Sequence, residues 1–235
     1  MCIICNTKDI STLVNLTKLN CDNCQLLIII PDTLINLTAL SCNNCPLLTS
    51  IPQTFVNLKY LDCHNCPLLT SIPSTFINLE LLYCHNCPLL TSIPSTFINL
   101  EYLICGYCPL LTSIPSTFII LSYLYCGRCP LLTVVPLEFI NLINLNCNNC
   151  PLLTDIPDSL FNLTDLSCKN CPWIDKRVKD KNINKLITLQ RFTRKYIKSQ
   201  IFSRWIKSRE GVEWIYHPDN IGGKMAKKQI ENMFN

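Results

Sequence analysis

Eighteen of the 235 residues are cysteine, and they stand in pairs: Cys2/Cys5, Cys21/Cys24, Cys42/Cys45, Cys63/Cys66, Cys84/Cys87, Cys105/Cys108, Cys126/Cys129, Cys147/Cys150 and Cys168/Cys171. Thiolates are nucleophiles, metal ligands and redox centres, so these pairs are the first candidates for chemistry. Consecutive pairs read C-x2-C-x17-C-x2-C, inside the spacing of zinc ribbons. A period of 21 residues between pairs produces that spacing automatically, however. Evenly stacked pairs give a cation no reason to choose partners. Pro-Leu-Leu follows most of the pairs, where a zinc knuckle needs glycine or polar residues. The thiols are therefore expected to be small buried hydrophobes, with no metal, disulfide or cofactor assigned to them. A metal-binding or redox-active protein using the repeated pairs is the alternative.

His64 and His85 lie between paired cysteines, which suggests mixed Cys/His ligation. Their neighbours Cys63 and Cys66 are expected to point the other way, which puts both imidazoles on an exposed strand face. The third histidine is His217, and none of the three has an evident catalytic partner in the sequence. No carboxylate pair stands out. Only five glycines are present, few for phosphate-cradling loops or nucleophile elbows. The expectation is a protein that is not an enzyme.

The elements that would position these side chains follow from the repeat. One unit runs from Leu58 to Asn78. Leu61 and Cys63 alternate with Tyr60, Asp62 and His64, the period of a half-buried strand. The second cysteine falls at the following turn, facing inward. Ile72-Pro73 forces an extended return, because a residue before proline avoids the helical region. Phe76 and Ile77 are expected to plug the opposite side.

This unit resembles the leucine-rich repeat, L-x-x-L-x-L-x-x-N/C-x-L, with Leu58, Leu61, Cys63, Cys66 and Leu68 at the pattern positions. Cysteine replaces the usual third leucine. The resemblance covers residues 1–172, as about eight units plus a partial N-terminal one. It implies a right-handed solenoid with a parallel β-sheet on its concave face, and such faces commonly bind other macromolecules. The chain is also similar to cysteine-bearing leucine-rich-repeat proteins of giant DNA viruses of amoebae, through its Cys-Pro-Leu-Leu-Thr-Ser-Ile-Pro units and its Gly222-Gly223-Lys224 tail. That likeness implies a viral protein acting in host cytoplasm and transfers no catalytic residue.

The outward strand positions vary along the chain. Early units carry Lys18, Asn20, Asp22, Ala39, Ser41 and Asn43; late ones carry Asn144, Asn146, Asn148, Asp165, Ser167 and Lys169. The middle four differ, with Tyr60, Asp62 and His64; Leu81, Tyr83 and His85; Tyr102, Ile104 and Tyr107; and Tyr123, Tyr125 and Arg128. Tyrosine combines an apolar body with a polar tip and is enriched at interface hot spots. These tyrosines, with Asp62, His64, His85 and Arg128, form the candidate contact site for a protein partner. The competing reading is that tyrosine is simply a good strand-surface residue.

Charge divides the chain further. Residues 1–171 carry 5 Lys+Arg against 10 Asp+Glu, a balance of −5; residues 172–235 carry 15 against 6, a balance of +9. Residues 173–235 are expected to form a basic helical region, with a helix over 182–208 capping the last repeats. Leu189-Gln190 followed by Arg194-Lys195 resembles the start of a calmodulin-binding motif, so an acidic or calmodulin-like partner is a second expectation for this region. No apolar run approaches the ~18 residues of a membrane span, and Met1 to Cys5 does not read as a secretory signal. These features point to a reducing, cytoplasmic setting. The chain is expected to begin inside a strand at Cys2–Cys5, uncapped, with a first return from Asn6 to Asn15 that is two residues short.

Overall fold

A computed structural model describes residues 2–6, 10–157, 159–160 and 162–172. The basic region 173–235, with its expected capping helix and calmodulin-like motif, lies outside the described residues.

Eight short strands follow one another: β1 Lys18–Asn20, β2 Ala39–Ser41, β3 Tyr60–Asp62, β4 Leu81–Tyr83, β5 Tyr102–Ile104, β6 Tyr123–Tyr125, β7 Asn144–Asn146 and β8 Asp165–Ser167. They form one parallel sheet in sequence order. Each residue pairs with the one a full unit later, as in Tyr60↔Leu81 and Leu61↔Leu82. Parallel neighbours one repeat apart define a solenoid, and the 21-residue period sets its register without a slip.

Every strand places one leucine inward, from Leu19 to Leu166. The next inward residue is the first cysteine of a pair, and these cysteines are fully buried from Cys21 to Cys168. On the other side of the core Phe55, Phe76, Phe97, Phe118 and Phe139 are fully buried in successive units, with Leu34 and Leu160 at the same position in flanking units.

Two corners of the repeat depart from the expected pattern. Leu68 is 41% exposed and Leu69 is fully buried. The cause is a tight turn: the Leu69 amide donates to the Cys66 carbonyl at 3.2 Å, with Pro67 pre-set for its second position. That turn carries Leu68 outward and returns Leu69 to the core. Likewise Ile77 is 51% exposed while Phe76 is buried. The Leu79 amide donates to the Phe76 carbonyl at 3.0 Å, so Phe76 and Leu79 point inward and Ile77 sits on the corner. Asn78 beside it donates its side-chain amide to the Val56 carbonyl at 3.0 Å, one unit back. Asn36, Asn57, Asn99, Asn141 and Asn162 repeat that bond.

The N-terminal segment is also different from expectation. Cys2–Cys5 is not a strand. Ile3–Asn6 forms a single helical turn, α1, followed by a 3-10 turn over Ile10–Leu13. The shortened return before β1 lacks the residues that make a full corner in later units. A helical turn instead lets Cys2 and Ile4 reach the core.

Candidate binding face

From Cys45 onward, the second thiol of each pair donates to the carbonyl of the first cysteine one unit back. Examples are Cys45 to Cys21 at 3.1 Å, Cys66 to Cys42 at 3.2 Å and Cys87 to Cys63 at 3.3 Å. The bond continues through Cys108, Cys129, Cys150 and Cys171. Thiols are weak donors, but these satisfy backbone carbonyls in a dry core. Burial pushes the Cys63, Cys84, Cys105 and Cys126 thiols well above the ordinary thiol range. They stay protonated at neutral pH, and a protonated thiol is a poor nucleophile and ligand. The repeated pairs are thus core side chains. At the N-terminal end alone, Cys2, Cys5 and Cys24 bring three sulfurs within 4.8 Å of one another, the one group of potential metal ligands among the described residues.

The opposite, outward side of the strands forms a continuous face that changes character along the sheet. Over β1 to β3 it is a polar network. The Ser41 hydroxyl donates to Asp22 at 2.6 Å, and the Asn43 side chain donates to Asp62 at 3.2 Å. Asp62 holds His64 by a 2.6 Å contact between Oδ1 and Nδ1. His64 therefore does have a carboxylate partner, two residues away, which the sequence reading missed. An i, i+2 spacing puts both side chains on the same strand face, and that was the available signal.

From β3 to β6 the face is aromatic. The Tyr60 and Tyr83 rings tilt against each other at 5.8 Å, and those of Tyr102 and Tyr123 stack at 5.8 Å. His64 and His85 stack nearly parallel at 4.4 Å. Tyr102 is 41% exposed, whereas Tyr60, Tyr83, Tyr123 and Tyr125 are half-buried. Burial, then the charge of Asp62, pushes the Tyr60 hydroxyl up to about 12, so it remains a neutral donor. Burial lowers the His85 pKa, helped by neighbouring His64 and opposed by Asp62. Its Nδ1 is buried without a hydrogen-bond partner.

Tyr107 and Arg128, expected at outward strand positions, lie off the strands. They occupy the turn after the strand with φ of 59° each, in the left-handed region. Asn23, Asn44, Asn65, Asn86, Asn149 and Asn170 hold that position in the other six units. Asparagine tolerates left-handed backbone, whereas most side chains resist it. The asparagines also bond to each other, Asn65 to Asn44 and Asn86 to Asn65 at 2.6 Å, and Asn170 to Asn149 at 2.8 Å. Tyr107 and Arg128 interrupt this ladder and pair instead, the guanidinium lying 5.0 Å from the ring centroid. The strand-face position before each is glycine. A Cβ on Gly106 would lie 2.2 Å from Cε1 of Tyr125 and 2.8 Å from the Gly127 carbonyl. Glycine there lets Tyr125 lie flat and reach Tyr107. Burial, then Tyr107, raises the Tyr125 pKa, while Arg128 opposes.

Of the ten expected site residues, eight share the outward strand face: Tyr60, Asp62, His64, Tyr83, His85, Tyr102, Tyr123 and Tyr125. Tyr107 and Arg128 extend that patch along its turn-side edge. Leu81 and Ile104 lie half-buried among them.

The leucine-rich-repeat family model matches residues 15–37, 36–58, 57–79, 78–100 and 141–163. The stacked parallel strands of the solenoid, with their 21-residue period, fit that repeat. Among solved structures it is similar to the functional domain of InlJ from Listeria monocytogenes, which includes a cysteine ladder. The identity is 27% over 66% of this chain and 35% of that one, with a TM-score of 0.60. It shares the fold of the leucine-rich-repeat domain of the type III effector XopL, at 24% identity over 62% of this chain and 58% of that one, TM-score 0.53. It also shares the fold of the effector YopM from Yersinia pestis, at 21% identity over 66% and 49% of the two chains, TM-score 0.51. The chain spans less than two thirds of each of these proteins. No curated protein matches it by sequence. Leucine-rich-repeat domains generally mediate protein–protein interaction. No helix among the described residues is long and apolar enough to cross a membrane.

Proposed function

We propose that the solenoid is a non-catalytic binding module that engages a protein partner through the aromatic sector of its concave strand face, from Tyr60 to Arg128. The observation that carries this reading is the pair Tyr107 and Arg128. Both hold left-handed backbone that asparagine occupies in every other unit. Strained backbone that serves no core contact is a mark of a functional surface. Tyr107 is 41% exposed, so the strained position presents its ring to solvent. Around it the stacked rings of Tyr102 and Tyr123 are pre-ordered, which reduces the entropy lost when a partner docks. The polar networks around Asp22 and Asn148 then act as the rim. The setting proposed for this module is a reducing one, where the buried thiols stay reduced.

The test is retention of a native partner on immobilised chain. The triple variant Tyr83→Ser/Tyr102→Ser/Tyr123→Ser should lose a partner that wild type retains, while Asn20→Ala on the expected rim keeps it. Equal retention by wild type and the triple variant would refute the assignment of the face.

A further inference from the structure

Cys2, Cys5 and Cys24 depart from the rule that the other units obey. From Cys45 onward, the second thiol of each pair finds the backbone carbonyl of the first cysteine one unit back. For Cys24, the segment one unit back is the helical turn Ile3–Asn6 rather than a strand. Its sulfur meets another sulfur instead: Sγ of Cys24 lies 3.5 Å from Sγ of Cys5, and Cys5 lies 3.7 Å from Cys2. All three fall within 4.8 Å of one another.

These separations have a chemical meaning. Four sulfurs bound to zinc at ~2.3 Å in a tetrahedron stand ~3.8 Å apart, so the three thiols already define most of one tetrahedral face. The spacing serves the same end. Cys2 and Cys5 are three apart across a helical turn, which puts both on one side of it. Cys24 comes from the turn after β1. Cys2 and Cys24 are buried and Cys5 is partly exposed, so the cluster has a dry base and an opening to solvent. Cys21 is fully buried and lies outside the triangle.

We propose that Cys2, Cys5 and Cys24 form a structural site for one thiophilic d10 cation, zinc, with the fourth position filled from solvent on the Cys5 side. Binding exchanges three S–H protons, released to water, for three zinc–thiolate bonds, with no change of oxidation state. The ion ties the N-terminal helical turn to the first strand of the sheet. The other pairs take no part, because their second thiols are spent on carbonyls and their first thiols are sealed in the core.

The experiment is metal analysis of the full chain, expressed with zinc and purified without chelator. Wild type should carry about one zinc per chain, and chelation followed by cobalt(II) should give the thiolate-to-cobalt absorption of a tetrahedral site, saturating at one equivalent. Cys5→Ser, at a partly exposed position, should abolish both signals while keeping the wild-type circular dichroism spectrum. Cys66→Ala, among the thiols bonded to backbone carbonyls, should keep both. Zinc should raise the melting temperature of wild type and leave Cys5→Ser unmoved. Background zinc in wild type, zinc retained by Cys5→Ser, zinc lost by a folded Cys66→Ala, or a Cys5–Cys24 disulfide in place of the ion would each overturn the proposal.

Discussion

Replacing Tyr107 and Arg128 together by asparagine should make the solenoid more stable and less able to bind. Left-handed backbone costs a residue other than glycine about 1–2 kcal/mol, and asparagine recovers part of that through its own backbone contacts. Taking recovery as about half, each replacement gains roughly 0.5–1 kcal/mol. The two new asparagines would also rejoin the ladder that now stops at Asn86 and resumes at Asn149. Against this stands the lost contact between Arg128 and the Tyr107 ring, about 0.5–1 kcal/mol at an exposed site. The net for the double variant is centred on about +0.75 kcal/mol, within a range of about 0 to +1.5 kcal/mol. For a chain of this size that raises the melting temperature by roughly 1–4 °C. Tyr107→Asn alone loses the ring contact and relieves one position, so it should be close to neutral. Thermal and urea melts of the three proteins decide the matter. A double variant that melts below wild type would show that the two turns store no strain, and would remove the main support for a selected surface there.

Other perturbations read different parts of the account. Gly106→Ala should displace the Tyr125 ring and press on the Gly127 carbonyl, at about 1–3 kcal/mol in urea unfolding, with Tyr125 fluorescence or its NMR shifts changed. Phe97→Ala, in the middle of the buried phenylalanine row, should cost about 3–5 kcal/mol in the same assay, whereas Ile98→Ala on the exposed corner should stay within about 0.5 kcal/mol. His85 has its pKa lowered by burial beside His64, so the unfolded chain takes up that proton first. Stability should therefore be full above the ordinary histidine value of 6.5 and fall as pH drops through it toward the lower folded value. His85→Gln should flatten that acid limb in melts at pH 8 and pH 5.5.

Legibility of the sequence depended on which physical rule governed each position. The strands and their register followed from the alternation around Leu61 and Cys63 and from an unbroken period, and the sheet is built that way. The burial of the cysteines followed from the same alternation. Corners were less legible, because alternation ends where a turn begins. Leu68 and Ile77 read as inward from apolar character alone, yet the hydrogen bonds of Leu69 to Cys66 and Leu79 to Phe76 turn them out. Tyr107 and Arg128 were placed on strands for a similar reason, although the asparagine at the same position in six other units marks left-handed backbone. The Asp62–His64 contact and the Cys2–Cys5–Cys24 cluster depend on side-chain directions, one along a single strand and one between a helical turn and the turn after β1, and spacing alone does not single them out.

The central claim is that a protein partner contacts the aromatic face, and the affinity of the purified partner for wild type and for Tyr83→Ser/Tyr102→Ser/Tyr123→Ser tests it most directly. A hot-spot aromatic contributes about 2 kcal/mol or more, so with at least one of the three at a hot spot the account predicts a loss of at least roughly thirtyfold in Kd, in a triple variant that still unfolds cooperatively. A Kd within about twofold of wild type in a folded triple variant would contradict it, since such a change is only ~0.4 kcal/mol.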